Sequence, residues 1–250
     1  MSKFKNTKKI ISDNFNKKIN FYNNDKYLGL NVNKTEVYSI TKFLKDNEHL
    51  LFDQLIDIGL SRVIVSTGYL GDYFSRELGT KYRGLEICYS EEQVSLGTGG
   101  ALRLAAKQLI SDNVLVMNGD SYLEVDFMEF LSCHCRWQSE VTMALTTVED
   151  KTQFGQVEMD LSGRIIRFDE KCPDHGGSNW INAGRYFIQK DTIQKMPSTY
   201  PLSLEGDLFP SLVGKKFFGY KSSGKFIDIG TPRSFRQAQV LLGAAEKSVQ

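Results

Sequence analysis

A chain of 250 residues with 41% hydrophobic and 24% charged residues has enough apolar material for one large domain or two small ones. Its formal charge of +1 lacks the basic excess of a nucleic-acid or membrane-surface binder, so a small molecule or another protein is the expected partner. The opening Met-Ser-Lys-Phe-Lys-Asn has no apolar signal core and no later run approaches bilayer-spanning length, which predicts a cytoplasmic protein without a membrane partner. Homo-oligomerisation stays open.

Composition divides the chain near residue 49. Residues 1–34 carry eight lysines against two acids, many asparagines and a single glycine, Gly29, while all five prolines lie at or after Pro173. Residues 1–49 therefore read as an atypical Asn/Lys-rich segment and residues 50–250 as the folded domain. From His49 the pattern is regular. "HLLFDQLIDIGL" has helical apolar spacing and "RVIVSTGY" is a β-branched run ended by glycine; "LEICYSE" reads as a strand. "ALRLAAKQLI" predicts a helix with Leu102, Ala105, Ala106 and Leu109 on one face, and "NVLVMNGD" a strand ending in a turn. Alternating strands and helices predict an α/β fold of Rossmann-like type, a mainly parallel sheet covered on both faces. Later stretches, "EVTMALTTV", "GQVEMDLSGRIIRFDEK" and "INAGRYFIQK", are strand-rich, with a hairpin turn at Leu161-Ser162-Gly163, and predict an antiparallel addition. Four cysteines are scattered except in "SCHCRW"; Cys133, His134 and Cys135 lack Cys-x-x-Cys spacing and read as the end of an amphipathic helix rather than a zinc site.

Candidate chemistry gathers at strand ends. Asp120 closes the apolar strand of "VLVMNGDSY" and Asp228 closes "KFIDIGTP", placing both at a sheet edge where ligands bind. If the two converge they suit a hard cation such as Mg²⁺, which takes oxygen ligands and substrate phosphates; taken singly, each reads as a cap or turn former. Glu170 and Lys171 end the hairpin's return strand and offer an acceptor for hydroxyls and a cation for phosphate, against the plainer reading of a solvated pair. The glycine-rich "EEQVSLGTGGAL" sits at a helix start, a place that suits phosphates.

The ordered series "LGTGGAL", "VMNGDSY", "FGQVEMDLSGRIIRFDEK", "INAGRYFI", "SLEGDLFP" and "FIDIGTP" resembles the sugar-1-phosphate nucleotidyltransferases. It is most similar to the branch making GDP-activated heptose or mannose, from about Leu50 to Gln239. The resemblance implies the nucleotide-diphospho-sugar transferase fold and a reaction joining a nucleoside triphosphate, GTP favoured, to a sugar 1-phosphate with release of pyrophosphate, for capsule, lipopolysaccharide or other glycan precursors. It implies Mg²⁺ on Asp120 and Asp228, and sugar and phosphate contacts from Glu170 and Lys171. It also implies a sugar pocket of Gly155, Asn182 to Gly184 and Glu205, and base contacts from Glu92 and Gly97, with Thr98 beside them. A carboxylate at Glu92 can accept two parallel hydrogen bonds from guanine but only one from uracil. The glycine turn then admits a base and ribose and is not the phosphate cradle.

The pattern departs from the family at its amino-terminal end. There the family has a buried first strand, a Gly-x-Gly-Thr-Arg loop around the triphosphate and a Pro-Lys whose lysine meets the α-phosphate. Residues 1–49 hold no close glycine pair, no arginine and no proline, and Lys42 stands too near the following helix to replace that lysine. Only Lys8–Ser12 and Lys26–Val32 offer apolar candidates for a central strand. Two readings follow: an active enzyme, and a relative that binds sugar nucleotides or regulates a catalytic partner. Nucleic-acid binding through the lysine-rich arm rests on charge alone.

Overall fold

The computed structural model describes residues 21–22, 29–30, 51–68, 71–170 and 178–228. Strands β1 (Phe21–Tyr22) and β2 (Gly29–Leu30) pair antiparallel with each other; the rest of the Lys26–Val32 candidate for a central strand, and all of Lys8–Ser12, lie outside the described residues.

Helix α1 (51–57) leads into β3 (Arg62–Thr67), then α2 (Gly71–Leu78), β4 (Lys81–Tyr82) and β5 (Leu85–Glu91). β3 and β5 run parallel with Val63 opposite Ile87, and Phe52 and Leu55 of α1 bury against Leu85 and Ile87. The apolar spacing of α1 and the alternation of β5 thus meet on one face, as period-3.6 and period-2 patterns must when a helix covers a sheet. α2, "GDYFSREL", is amphipathic, but it is short, mostly polar and set between Gly68 and Gly79, so in the sequence it reads as a connection between strands.

α3 (Gly97–Ala105) continues as a 3₁₀ turn, Ala106–Gln108, and carries Leu102, Ala105 and Ala106 inward as their spacing predicts. β6 (Asn113–Met117) and β7 (Ser121–Leu123) follow, then α4 (Phe127–Arg136) and β8 (Val141–Thr147). β9 (Gln156–Met159) and β10 (Ile165–Asp169) form the expected hairpin, and β11 (Trp180–Gln189) leads to α5 (Lys190–Lys195). A π-helical turn, Leu204–Leu208, precedes α6 (Phe209–Leu212), β12 (Phe217–Lys221) and β13 (Phe226–Asp228). The large sheet runs β10-β9-β11-β8-β12, with β6 also on β11. β8 and β11 lie inside it, which accounts for their long buried runs. The α/β class is the one expected; among the described residues the sheets are mixed, with more antiparallel ladders than the mainly parallel expectation. The described parallel ladders are β3–β5 and β8–β12, and β6 and β8 both flank β11 antiparallel.

Two clusters cover this sheet. Phe209, fully buried, packs against Phe168, Tyr186 and Phe217 at ring-centroid distances of 5.6, 4.9 and 5.4 Å. On α4, the Asp126 carboxylate accepts from Met128 N and Glu129 N, which fixes the helix start. The helix then buries Phe127, Phe130, Cys133 and His134, while Cys135 is exposed. The "SCHCRW" residues therefore end an amphipathic helix, and no group of three or more candidate ligands gathers among the described residues. No described helix is long and apolar enough to cross a membrane.

The described partners of β3 and β6 leave one edge of each strand facing a common space. β3 pairs with β5 and β6 with β11, and both strands line a cavity of about 1400 Å³. Its walls include Phe52, Leu55 and Leu102, so the space lies among the apolar faces of α1 and α3.

Two outcomes are expected. Phe209→Ala lowers stability by about 3–5 kcal/mol in denaturant unfolding. Burial drives the His134 imidazole from an ordinary 6.5 down to about 4 while its Nδ1 pairs with Thr142 Oγ1 at 2.8 Å. The unfolded chain binds that proton more tightly, so the contribution is full above pH 6.5 and is lost as pH falls towards 4. His134→Phe should flatten the fall in Tm over that window; an unchanged pH slope would refute the assignment.

Candidate functional site

The site is assembled around one short ladder. β6 ends at Met117, and the turn Asn118-Gly119-Asp120 delivers the chain to β7. β7 pairs antiparallel with β13 in a register that sets Asp228 opposite Ser121. Antiparallel partners stand about 4.5–5.5 Å apart at Cα, so Asp228 lies across from the residue that follows Asp120. Two aspartates far apart in sequence thereby start from adjoining backbone positions, and both line the cavity. Asp120 is exposed and Asp228 half-buried. Two carboxylates with open access are a donor set that suits a hard divalent cation sharing its remaining positions with water or phosphate.

Beside them lies a polar pocket. Gly155 is buried where a Cβ would come within 2.9 Å of Glu170 Oε2, so the missing side chain lets this carboxylate lie against the backbone. Asn182 is fixed at both ends: its Nδ2 donates to Tyr186 Oη at 2.9 Å and its Oδ1 accepts from Gly184 N at 3.0 Å. The β11–β8 register shifts between Asn182 and Tyr186, which bends the strand where Ala183 and Gly184 face the cavity. Burial, with Glu205 nearby, pushes the Tyr186 phenol well above its ordinary range, so it stays a neutral donor and acceptor. Lys171 lies outside the described residues.

Glu205 joins this pocket to the glycine-rich turn. It is 9% exposed, and its Oε2 accepts from Thr98 Oγ1 at 2.8 Å and Ser203 Oγ at 3.1 Å. Thr98 Oγ1 in turn accepts from Leu204 N at 2.8 Å. Glu92 Oε2 accepts from Leu96 N at 2.9 Å, which braces the turn and leaves the carboxylate's other lone pairs for a ligand. Glu92 and Thr98 both line the cavity.

The first glycines of the turn meet protein. Gly99 N and Gly100 N both donate to Leu202 O, at 2.9 and 3.2 Å, and Leu202 N donates back to Leu96 O at 2.8 Å. Gly97 has φ +77°, and a Cβ there would lie 2.4 Å from Leu202 O. The sequence reading, in which these glycines open the helix start to base and ribose, needs that much correction: Leu202 occupies the face, and two amides of the helix start are already satisfied. Those two amides are not free to cradle a phosphate.

Sequence reasoning missed Leu202, Ser203 and Arg185. Nothing marks Leu202, which acts through its backbone. Arg185 carries a visible signal, a cation inside the ten-residue apolar strand β11.

The chain matches the nucleotidyl transferase family over residues 48–244 and belongs to it. It is 35% identical over 192 residues to the D-glycero-alpha-D-manno-heptose 1-phosphate guanylyltransferase of Aneurinibacillus thermoaerophilus, covering 76% of this chain and 82% of that one. It is 34% identical to the mannose-1-phosphate guanylyltransferase of Mycobacterium tuberculosis, covering 75% of this chain and 53%, about half, of that longer protein. Among solved structures, HddC from Yersinia pseudotuberculosis complexed with GMP-PN superposes with a TM-score of 0.69 at 28% identity, over 80% of this chain and 85% of that one.

Gly97→Ala should cost more than Gly214→Ala. Both glycines have positive φ, but the site of a Cβ at Gly214 is open whereas at Gly97 it strikes a carbonyl. The shared backbone cost is about 1–2 kcal/mol; the excess at Gly97, read as a further fall in Tm, measures the Leu202 contact. Equal losses would refute it.

Proposed function

We propose that this chain is a sugar-1-phosphate guanylyltransferase: it transfers GMP from GTP to a sugar 1-phosphate of the heptose or mannose type and releases pyrophosphate. The observation that carries the proposal is the β7–β13 register, which sets Asp228 opposite Ser121, the residue after Asp120, with both aspartates in the lining of one cavity. The match to guanylyltransferases of both sugar classes supports it. In this reading residues 50–250 are the transferase domain, the protein works in the cytoplasm, and its product serves capsule, lipopolysaccharide or other glycan synthesis.

The chemistry is a displacement at phosphorus. A phosphate oxygen of the sugar 1-phosphate attacks the α-phosphorus of GTP, and a new P–O bond forms. The bond to the β-phosphate breaks and the electron pair leaves with pyrophosphate. Asp120 and Asp228 would hold Mg²⁺, which offsets phosphate charge when bound. Glu170 accepts from sugar hydroxyls, Gly155 gives it room, and Asn182 and Gly184 shape the pocket floor. Glu205 holds the pocket against Thr98. Lys171, next to Glu170 in sequence, supplies a cation to the sugar phosphate. Glu92 accepts from the base edge, with the Gly97–Thr98 turn behind it.

The test is pyrophosphate release with Mg²⁺, GTP, CTP, UTP or ATP, and a panel of heptose and hexose 1-phosphates. Release with GTP that falls at least about 10²-fold in both Asp120→Ala and Asp228→Ala is expected. No release with any pair, alongside calorimetric binding of a GDP-sugar, would replace this reading with the sugar-nucleotide-binding relative. Glu92→Gln should raise KM for GTP by about 10-fold or more, as expected for losing a charged hydrogen bond. An equal loss across all four nucleotides would refute its role at the base.

A further inference from the structure

Arg185 is a fully buried cation that no step above uses. It lies on β11 opposite Met117, where the β11–β8 ladder breaks register. Its guanidinium reaches past the end of β6 into the Asn118–Ser121 turn. Nη1 donates to Asn118 O at 3.0 Å, to Ser121 Oγ at 3.2 Å and to its neighbour's carbonyl, Gly184 O, at 3.0 Å. Nη2 donates to Ser121 O. Nε has no acceptor among the described residues. Burial draws the guanidinium down to about 10, with Asp120 among the groups that oppose the fall, so it remains charged at neutral pH.

Such a group is costly to bury, and a charge with one donor unsatisfied is a poor device for stability alone. What it does locally is specific. Its two outer acceptors are the carbonyls on either side of Gly119-Asp120, and Ser121 is also the residue paired with Asp228. One planar fork therefore fixes the ends of the Asp120 turn and ties them to the β7–β13 ladder. Lysine has donors enough in number but not the planar spread to span both carbonyls.

We propose that Arg185 is a positioning residue: its guanidinium clamps the Asn118–Ser121 turn so that Asp120 is held in register with Asp228 for divalent-cation binding. The cation half of this statement rests on the metal role proposed for the two aspartates; the clamp itself does not.

The experiment compares the full chain with Arg185→Lys, Ser121→Ala and Asp120→Asn. Three readouts are taken: Tm, hydrogen exchange of residues 118–123 in metal-free protein, and calorimetric Mn²⁺ affinity. Arg185→Lys should speed exchange in the turn at least about 10-fold while β8 and β12 stay protected, and weaken Mn²⁺ about 10-fold with a change in Tm of only a few degrees. Ser121→Ala, which removes one acceptor and leaves the carbonyls, should move exchange and affinity the same way by about 3-fold. Unchanged exchange in the turn in both variants overturns the clamp, as does faster exchange spread evenly over the sheet. Unchanged Mn²⁺ affinity in Arg185→Lys, with Asp120→Asn abolishing binding, overturns the link to the metal. If Asp120→Asn leaves Mn²⁺ binding intact, the metal role of Asp120 fails and with it the cation half of the proposal, while the exchange data still decide the clamp.

Discussion

The antiparallel pairing of Ser121–Leu123 with Phe226–Asp228 is the contact on which the site depends. It is a ladder of three residues, yet it closes a chain path of roughly a hundred residues and sets Asp228 across from the residue that follows Asp120. A slip of one residue would turn Asp228 to the opposite face. The elements around it restrain that slip from both sides. β7 follows a turn whose start is tied by Asn118 N to Gly184 O at 2.9 Å, and Glu124 N donates to Lys225 O at 2.9 Å just beyond the ladder. The large sheet, the Phe209 cluster and the capped helix α4 make the rigid body against which this small ladder holds its register.

A second constraint acts across the cavity. Leu202 satisfies amides at the start of α3, and Glu205 accepts from Thr98 and Ser203. The segment around Leu202–Glu205 therefore fastens the glycine turn to the polar pocket. These hydrogen bonds hold the two regions of the cavity wall in one framework.

Most elements are legible in the sequence because burial leaves a periodic trace. β3, β5, β6, β8 and β11 are apolar runs or alternations, the β9–β10 hairpin carries its turn residues, and α3 and α4 show helical stripes. α2 is harder to read: its eight residues are amphipathic but mostly polar, and they lie between glycines, which reads as a connection between strands. Two strand ends hint that Asp120 and Asp228 converge, but neither segment alone dictates it, because register is a property of the pair. The glycine turn shows the opposite failure: its composition is plain, but the atom that needs the space, Leu202 O, is a backbone group with no sequence mark. Arg185 stands in plain view within β11, but nothing in that strand's own sequence shows that its guanidinium meets the Asn118–Ser121 turn. The Gly-x-Gly-Thr-Arg loop is absent from residues 1–49, and the described strands β3 and β6 face a common cavity whose lining includes Asp120.

The central claim is that one divalent cation is shared by two aspartates brought together by the β7–β13 register. Anomalous diffraction from crystals grown with Mn²⁺ and a non-hydrolysable GTP analogue tests it directly. The account predicts one manganese peak within about 2–2.5 Å of carboxylate oxygens from both Asp120 and Asp228. A peak bound to only one of them, or manganese held by the nucleotide alone, would contradict it.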